Sequence, residues 1–267
     1  MSIYYIFLLA VIQGLTEFLP VSSSGHLAII PTITGQTDQG QFIDVAVHIG
    51  TLGAVILYFW SDVKSAFLGF FKLLAGDRSS SGSKLAILLI IATVPVIIFG
   101  LILKVSGYGD DLRSIKVIGW SMLIFGVLLY WVDQNSLQDK VEQNWNTIDA
   151  IKLGIWQAIA LIPGSSRSGM TITGARRLGY TRIDSAKISM LMSIPTIIAS
   201  GTLLGAEVII DANWQAAKVG IIAAIFSFFA GIFALTLMMR LLKFVSYTPY
   251  VFYRIFFGLF LLWIAYT

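Results

Sequence analysis

Residues 2–33 have the sequence SIYYIFLLAVIQGLTEFLPVSSSGHLAIIPTI, an apolar run that a short polar loop interrupts. The loop, from Pro20 to His26, contains three serines and a glycine, and a second apolar run follows it. At membrane depth, backbone that is not helical is tolerated only where protein or a wet cavity surrounds it. The stretch therefore predicts a re-entrant helical hairpin, with arms at residues 2–19 and 27–33 and its tip inside the protein.

Residues 148–178 repeat this pattern. An apolar run at 148–162 meets a loop rich in serine and glycine at 163–169, and a further run covers 170–178. Three landmarks recur at nearly constant offsets of 144, 143 and 140 residues, namely Gln13 and Gln157, Pro20 and Pro163, and Asp44 and Asp184. The spacing indicates a duplication, with repeat one at about 1–135 and repeat two at about 145–267. Chance similarity between apolar segments is the alternative.

The composition indicates a membrane protein. Of the 267 residues, 57% are hydrophobic and 12% charged, and the mean hydropathy is +0.84. A soluble domain carries about 25% charged residues, so a soluble enzyme and a disordered chain are excluded, and the lack of cysteine excludes disulfides and thiolate sites. Six runs are long enough to span a bilayer: residues 42–60, 85–103, 115–132, 188–206, 219–239 and 250–266.

The sequence thus predicts a single membrane domain at residues 1–267. It is an all-α polytopic protein with six spanning helices and two re-entrant helical hairpins. Each half has one hairpin and three spans, and because three is odd the second half is inserted upside down. This is the inverted repeat of transporters, whose site lies at the repeat interface.

Basic residues in the loops predict the orientation. Cytoplasmic loops carry the excess of lysine and arginine, so the richer side is assigned to the cytoplasm and both termini to the outside. The scatter of these residues over loops does not favour nucleic acid as a partner. One side has twelve and the other four: Lys64, Lys72, Arg78, Lys84, Lys140, Lys152, Arg176, Arg177, Arg182, Lys187, Arg240 and Lys243, against Lys104, Arg113, Lys116 and Lys218.

Ionisable groups at membrane depth are costly and functional by default. Gln13 and Glu17 are spaced i,i+4 and share one helix face. Their oxygens can hold a hard divalent cation such as Mg²⁺ or Ca²⁺, or they can hydrogen-bond to the backbone at a helix break.

The loop serines Ser22, Ser23 and Ser24 precede a short helix, whose free N–H groups and dipole favour an anion. Simple N-capping is the alternative. His26 follows Ser23 by three residues. That spacing suits a general base for the serine or an acid toward a leaving group, although a single histidine is also often structural.

The second loop adds an arginine. Arg167 matches a phosphate with bidentate geometry and stays charged when buried, and Thr171 adds a hydroxyl; a structural ion pair between Arg167 and Glu17 is the alternative. Asp44 and Asp184 are expected to cap helices, Asp184 with Thr181. His48 is given no role.

Both motifs resemble those of the undecaprenyl-diphosphatases, the bacitracin-resistance family of bacterial membranes. Residues 13–26 are similar to its Glu/Gln-x-x-x-Glu segment with a serine-glycine-histidine tail, and residues 163–171 to its Pro-Gly-x-Ser-Arg-Ser-x-x-Thr segment. The resemblance covers nearly the whole chain. It implies hydrolysis of undecaprenyl diphosphate to the monophosphate in the bacterial inner membrane, divalent-cation dependence, and a site that is built from both loops and open to the periplasmic face.

The resemblance assigns functional positions to nine residues of this chain. We expect Ser23, His26, Glu17 and Arg167 to be catalytic, with Ser23 as nucleophile or with water attacking directly, in both cases assisted by His26. The expected partners are then a polyprenyl diphosphate and membrane lipid. The sequence does not decide whether the protein is a homodimer. A transporter or flippase of a lipid phosphate is the alternative function. The substrate-binding positions are Gln13, Ser22, Ser166, Ser168 and Thr171. Glu17 and Gln13, from their spacing, are the candidate metal ligands.

Overall fold

The computed structural model describes residues 2–107, 111–208 and 214–267, which form α-helices joined by short loops. The β-structure within these ranges is limited to one isolated bridge between Lys140 and Tyr180. Within these ranges, eleven α-helices follow one another: α1 (Ile3–Phe18), α2 (Ser23–Thr34), α3 (Gly40–Tyr58), α4 (Trp60–Leu74), α5 (Ser81–Ser106), α6 (Ile115–Asn135), α7 (Thr147–Ile159), α8 (Arg167–Arg177), α9 (Arg182–Val208), α10 (Trp214–Leu241) and α11 (Thr248–Tyr266).

Five of the described helices, α3, α5, α6, α10 and α11, are long and apolar enough to cross a membrane. Four of them contain a predicted span entirely, and α3 contains residues 42–58 of the span predicted at 42–60. The protein is therefore a multi-pass helical membrane protein. The sixth predicted span lies in α9, which is more polar. Its serines at 185, 189 and 193 are fully buried, so the polar face of α9 packs against protein. The sequence analysis did not anticipate α4, a separate helix of 15 residues.

Both loop-broken segments form two helices with a tight break between them. The first break, residues 19–22, separates α1 from α2, and the second break, residues 160–166, separates α7 from α8. Ser22 and Ser166 are the N-cap residues of α2 and α8, and both have φ +72°. Among the described residues other than glycine, these two are the ones with a positive φ. Such a conformation costs on the order of 1–3 kcal/mol and occurs mostly at functional sites. The two breaks therefore share an unusual local backbone.

Each broken segment packs on a long helix from the other half of the chain. α1 lies along α10, and α7 lies along α5. Glycines permit the close approach: a Cβ on Gly14 would lie 2.6 Å from Ala230 Cβ, and one on Gly154 would lie 2.7 Å from the Ala92 carbonyl oxygen. α3 contacts both α9 and α10, and α6 pairs with α11. Because helices of each half pack against helices of the other half, the two breaks lie close together.

An ion-pair cluster fixes the far end of α8. The buried carboxylate of Asp133 accepts hydrogen bonds from Nε of Arg176 and Nε of Arg182, each at 2.9 Å. The backbone N–H of Tyr247 also donates to it, at 3.3 Å. Burial and the Asp133 charge raise the pKa of the Tyr247 phenol. The cluster joins four segments of the chain, so α8 is anchored at its C-terminal end as well as at its tip.

The two aspartates expected to cap helices differ in outcome. The backbone N–H of Asp184 donates to Thr181 Oγ1 at 3.1 Å, and the Thr181 hydroxyl donates to the Asp184 carboxylate. Capping of α9 is thus confirmed. The expectation for Asp44 is wrong, because this residue lies inside α3 and accepts a hydrogen bond from the Gln39 side chain instead.

Candidate active site

Glu17, near the end of α1, is the meeting point of the two sequence motifs. Its Oε1 accepts a hydrogen bond from Arg167 Nη2 at 2.9 Å. Its Oε2 accepts one from Ser23 Oγ at 2.9 Å and one from Gln13 Nε2 at 2.8 Å. Glu17 and Arg167 are 150 residues apart in sequence, so the fold brings together side chains that the sequence analysis selected from separate motifs.

Two buried polar atoms at this point have no hydrogen-bond partner within the described residues. They are Nη1 of Arg167 and Oε1 of Gln13. A buried polar atom without a partner is costly unless a ligand or water completes it. Nη1 is a charged donor suited to an anion, whereas Oε1 is an acceptor suited to a donor or a cation. The site thus contains one unpartnered donor and one unpartnered acceptor.

A cavity of about 210 Å³ lies between the two breaks. Residues at the start of both α2 and α8 line it, so the free N–H groups of two helix N-termini are next to it. Eleven residues form its wall: Glu17, Ser22, Ser23, Ser24, His48, Ala160, Ser166, Arg167, Thr196, Ile197 and Ser200.

Three of the predicted substrate-binding residues are not in this wall. Ser168 Oγ donates to the Leu19 carbonyl at 2.9 Å and so ties α8 to the first break. Thr171 Oγ1 donates to the Arg167 carbonyl at 2.9 Å and also contacts Ser189 Oγ on α9. Gln13 is fully buried behind Glu17. These side chains support the residues that face the cavity.

His26 does not hydrogen-bond to Ser23. Its Nδ1 lies 2.7 Å from the Ser22 carbonyl oxygen, and its Nε2 lies 2.6 Å from the Tyr253 hydroxyl. A carbonyl only accepts, so Nδ1 carries the proton and Nε2 accepts from Tyr253. The ring also stacks on Phe257, with centroids 4.3 Å apart. Both nitrogens therefore have partners, Nδ1 at the first break and Nε2 on α11.

The sequence analysis missed several cavity residues. His48 Nδ1 lies 2.6 Å from the Asp44 carbonyl oxygen, and its Nε2 lies 3.2 Å from Gln13 Nε2 and 3.8 Å from Glu17 Oε2. The i,i+4 spacing of Asp44 and His48 was visible, but nothing in it showed which helix the imidazole would face. On α9, hydroxyls at 196 and 200 line the cavity without any motif to mark them.

Arg254 was also missed. It lies inside the apolar helix α11, is fully buried, and donates to three backbone carbonyls. Its signal was present, because an arginine inside a predicted span is costly unless it has a function.

The fold and the site define a class: a helical membrane protein whose serine- and arginine-lined cavity lies between two broken helical segments. The chain belongs to the bacitracin resistance protein BacA family, whose model matches residues 6–260. It is 62% identical over 267 residues to the undecaprenyl-diphosphatase of Jannaschia sp. (strain CCS1), covering 100% of both chains.

Two further relatives agree. The undecaprenyl-diphosphatase of Ruegeria pomeroyi is 59% identical, again with 100% of both chains covered. Undecaprenyl-diphosphatase 1 of Rhodospirillum rubrum is 40% identical, with 100% of this chain and 96% of the relative covered.

Proposed function

We propose that this chain hydrolyses undecaprenyl diphosphate to undecaprenyl phosphate and inorganic phosphate, and so returns the lipid carrier to cell-wall synthesis. The names of its full-length relatives support this reaction, and the family description supports a link to bacitracin resistance. One observation carries the proposal: the hydroxyl of Ser23, the carboxylate of Glu17 and the guanidinium of Arg167 converge on one cavity.

The terminal phosphate binds to Arg167 Nη1, which has no partner among the described residues. The N-termini of α2 and α8 add backbone N–H groups and dipoles, and Ser22 and Ser166 add hydroxyls at the cavity wall. Such preorganised donors stabilise the charge that develops on the phosphoryl oxygens in the transition state.

Ser23 Oγ attacks the terminal phosphorus, and the bond from that phosphorus to the bridging oxygen breaks. The serine proton passes to Glu17 Oε2, which already accepts its hydrogen bond at 2.9 Å, and then to the departing undecaprenyl phosphate. Water attacks the phosphoserine, Glu17 accepts a proton from the water and returns one to Ser23, and inorganic phosphate leaves.

The base in this scheme differs from the histidine expected from sequence. His26 is held by Ser22 and Tyr253, so its contribution is to fix the strained backbone at Ser22. Direct attack by water, with Ser23 only positioning the phosphate, is the competing chemistry.

A divalent cation is part of the proposal. The donor set is small, because the described residues contain no cluster of three or more His, Cys, Asp or Glu. It nevertheless fits a cation that takes most of its ligands from substrate phosphates, as Mg²⁺ does. Glu17 and the unpartnered Oε1 of Gln13 would hold it. When bound, the cation would supply further neutralisation of phosphate charge.

We further propose that the protein lies in the bacterial inner membrane with α3, α5, α6, α9, α10 and α11 as spans. The α1–α2 and α7–α8 pairs are then re-entrant hairpins in an inverted repeat. The exchanged packing of α1 on α10 and α7 on α5 supports this arrangement, as do the equivalent positive φ angles of Ser22 and Ser166. The loop charges support both termini outside and a site open to the periplasmic face.

The test is phosphate release from undecaprenyl diphosphate by protein in detergent, where no second compartment exists. We expect release that Ser23→Ala abolishes and that Ser79→Ala, an exposed loop change, leaves intact. No release in detergent, together with movement of a lipid phosphate across reconstituted vesicles, would favour the transporter alternative.

A further inference from the structure

The guanidinium of Arg254 links both breaks of the site. Its Nη1 donates to the Pro20 carbonyl at 3.3 Å, and its Nη2 donates to the Gly164 carbonyl at 3.0 Å. Its Nε donates to the Met122 carbonyl on α6 at 3.2 Å. All three acceptors are uncharged backbone oxygens, so the arginine holds a fully buried charge against dipoles alone.

The two break carbonyls occupy matching places. Pro20 precedes Ser22 by two residues, and Gly164 precedes Ser166 by two residues. Ser22 and Ser166 are the positive-φ N-caps of α2 and α8. The planar guanidinium of Arg254 therefore binds equivalent carbonyl oxygens of the two loops. Each carbonyl lies two residues before a serine with positive φ.

Space for this side chain is reserved by glycines. A Cβ on Gly169 would lie 2.8 Å from Arg254 Nη1, and a Cβ on Gly126 would lie 3.3 Å from Arg254 Cβ. Any side chain at Gly169 would displace the guanidinium from the loops. The arginine thus passes between α6 and α8 through a gap that only small residues leave open.

Burying an arginine without a carboxylate partner destabilises the packing of two helices, since the unpaired charge loses its hydration. An apolar side chain would join α11 to α6 at lower cost. The free-energy cost of burying this charge is explained if the guanidinium is needed as two donors at a fixed spacing and angle, which arginine alone offers.

We propose that Arg254 is the positioning residue of the site: it holds the two loops in register, so that Ser23 from one and Arg167 from the other act on the same phosphorus. The proposal rests on the hydrolase function above. Arg254 does not line the cavity, so it acts through the loops rather than on the substrate.

The test compares Arg254→Lys and Arg254→Met with Arg176→Lys in full-length protein. Arg176 is the matched control, because it is also fully buried but binds Asp133 at the far end of α8. Misplacement of reacting groups by about 1 Å can lower a rate by about 10²-fold. We expect kcat per folded molecule to fall by about that factor in both Arg254 variants, with KM within about threefold of wild type, because Arg167 still binds phosphate. Arg176→Lys should lower the melting temperature and leave kcat per folded molecule unchanged.

Hydrogen exchange gives a second measurement that does not depend on activity. In Arg254→Met, peptides containing residues 19–24 and 161–167 should exchange faster together, by about tenfold or more, while the far end of α8 keeps its protection. Arg176→Lys should show the reverse pattern.

Unchanged exchange in both loops would overturn the positioning role, and so would a kcat loss that only follows the unfolded fraction. If wild-type protein releases no phosphate, the hydrolase proposal fails, while the exchange result still decides whether Arg254 holds the loops.

Discussion

Replacing Arg167 with lysine tests the centre of the site most directly. The guanidinium has two separate tasks: Nη2 binds Glu17 Oε1 at 2.9 Å, and Nη1 is left for phosphate. A lysine has one ammonium group and cannot make both contacts in this geometry. Arg167→Lys therefore keeps the charge and loses either the carboxylate or the phosphate.

The magnitude follows from the contact that is lost. Losing one charge-assisted hydrogen bond in a buried site costs about 2–5 kcal/mol. Each 1.36 kcal/mol corresponds to tenfold in rate, so a mid-range loss of about 3 kcal/mol predicts a fall of about 10²-fold in kcat/KM.

The assay is steady-state phosphate release from undecaprenyl diphosphate in detergent, normalised to the monodisperse protein fraction. Arg177→Lys is the control, because Arg177 is on the same helix but exposed at its other end. A kcat/KM for Arg167→Lys within threefold of wild type would refute the reasoning and reduce Arg167 to a structural partner of Glu17. An equal loss in Arg177→Lys would show that any change in α8 has this effect.

Four further outcomes are expected. Rapid-quench experiments with terminally labelled substrate should trap label on protein, and Ser23→Ala should remove it while substrate still binds; absence of label in wild type would favour direct water attack. Chelation should lower turnover, Mg²⁺ or Ca²⁺ should restore it, and Gln13→Ala should raise the cation concentration needed; full activity in chelator would exclude the cation. Asp133→Asn should destabilise the fold by about 3–5 kcal/mol, because two arginines lose their partner, which detergent melting curves would show. In intact cells an impermeant maleimide should label a single cysteine at Thr267 but not one at Ser80, and the reverse pattern would overturn the orientation.

The broken helices and their chemistry were predictable from sequence, because serine, glycine and proline inside apolar runs have few physical explanations. The same reasoning selected Glu17, the loop serines and Arg167, and the family resemblance favoured Ser23 among the serines. The structure places Glu17 in contact with Ser23 and Arg167. Matching motifs in two halves of a chain suffice to predict that their loops meet, even though they do not give the distances.

The partner of His26 was not predictable. Its spacing from Ser23 suggested a local pair, but its Nε2 contacts Tyr253, which is 227 residues away in sequence. Spacing along one helix reports only neighbours on that helix, and a side chain whose partner comes from a distant helix gives no such signal. Arg254 could have been recognised as costly, but not assigned to the loops, for the same reason.

The helix α9 combines a predicted span with a polar face. Its buried serines Ser185, Ser189 and Ser193 recur every fourth residue and face the protein interior. A helix surrounded by other helices need not be as apolar as one that faces lipid, so these buried serines are compatible with the predicted span at 188–206.

The position of Arg254 near the end of the chain has a consequence for biogenesis. Glu17 and Ser23 are made first and Arg167 later, but the guanidinium that contacts both loops lies in α11, which is synthesised after all of them. A nascent chain that stops before residue 248 carries every side chain of the Glu17 cluster and still lacks the link between the two loops. With Arg254 in the proposed positioning role, full activity requires α11 to dock, so a product truncated before residue 248 would hold its substrate-binding groups and turn over the lipid carrier only slowly.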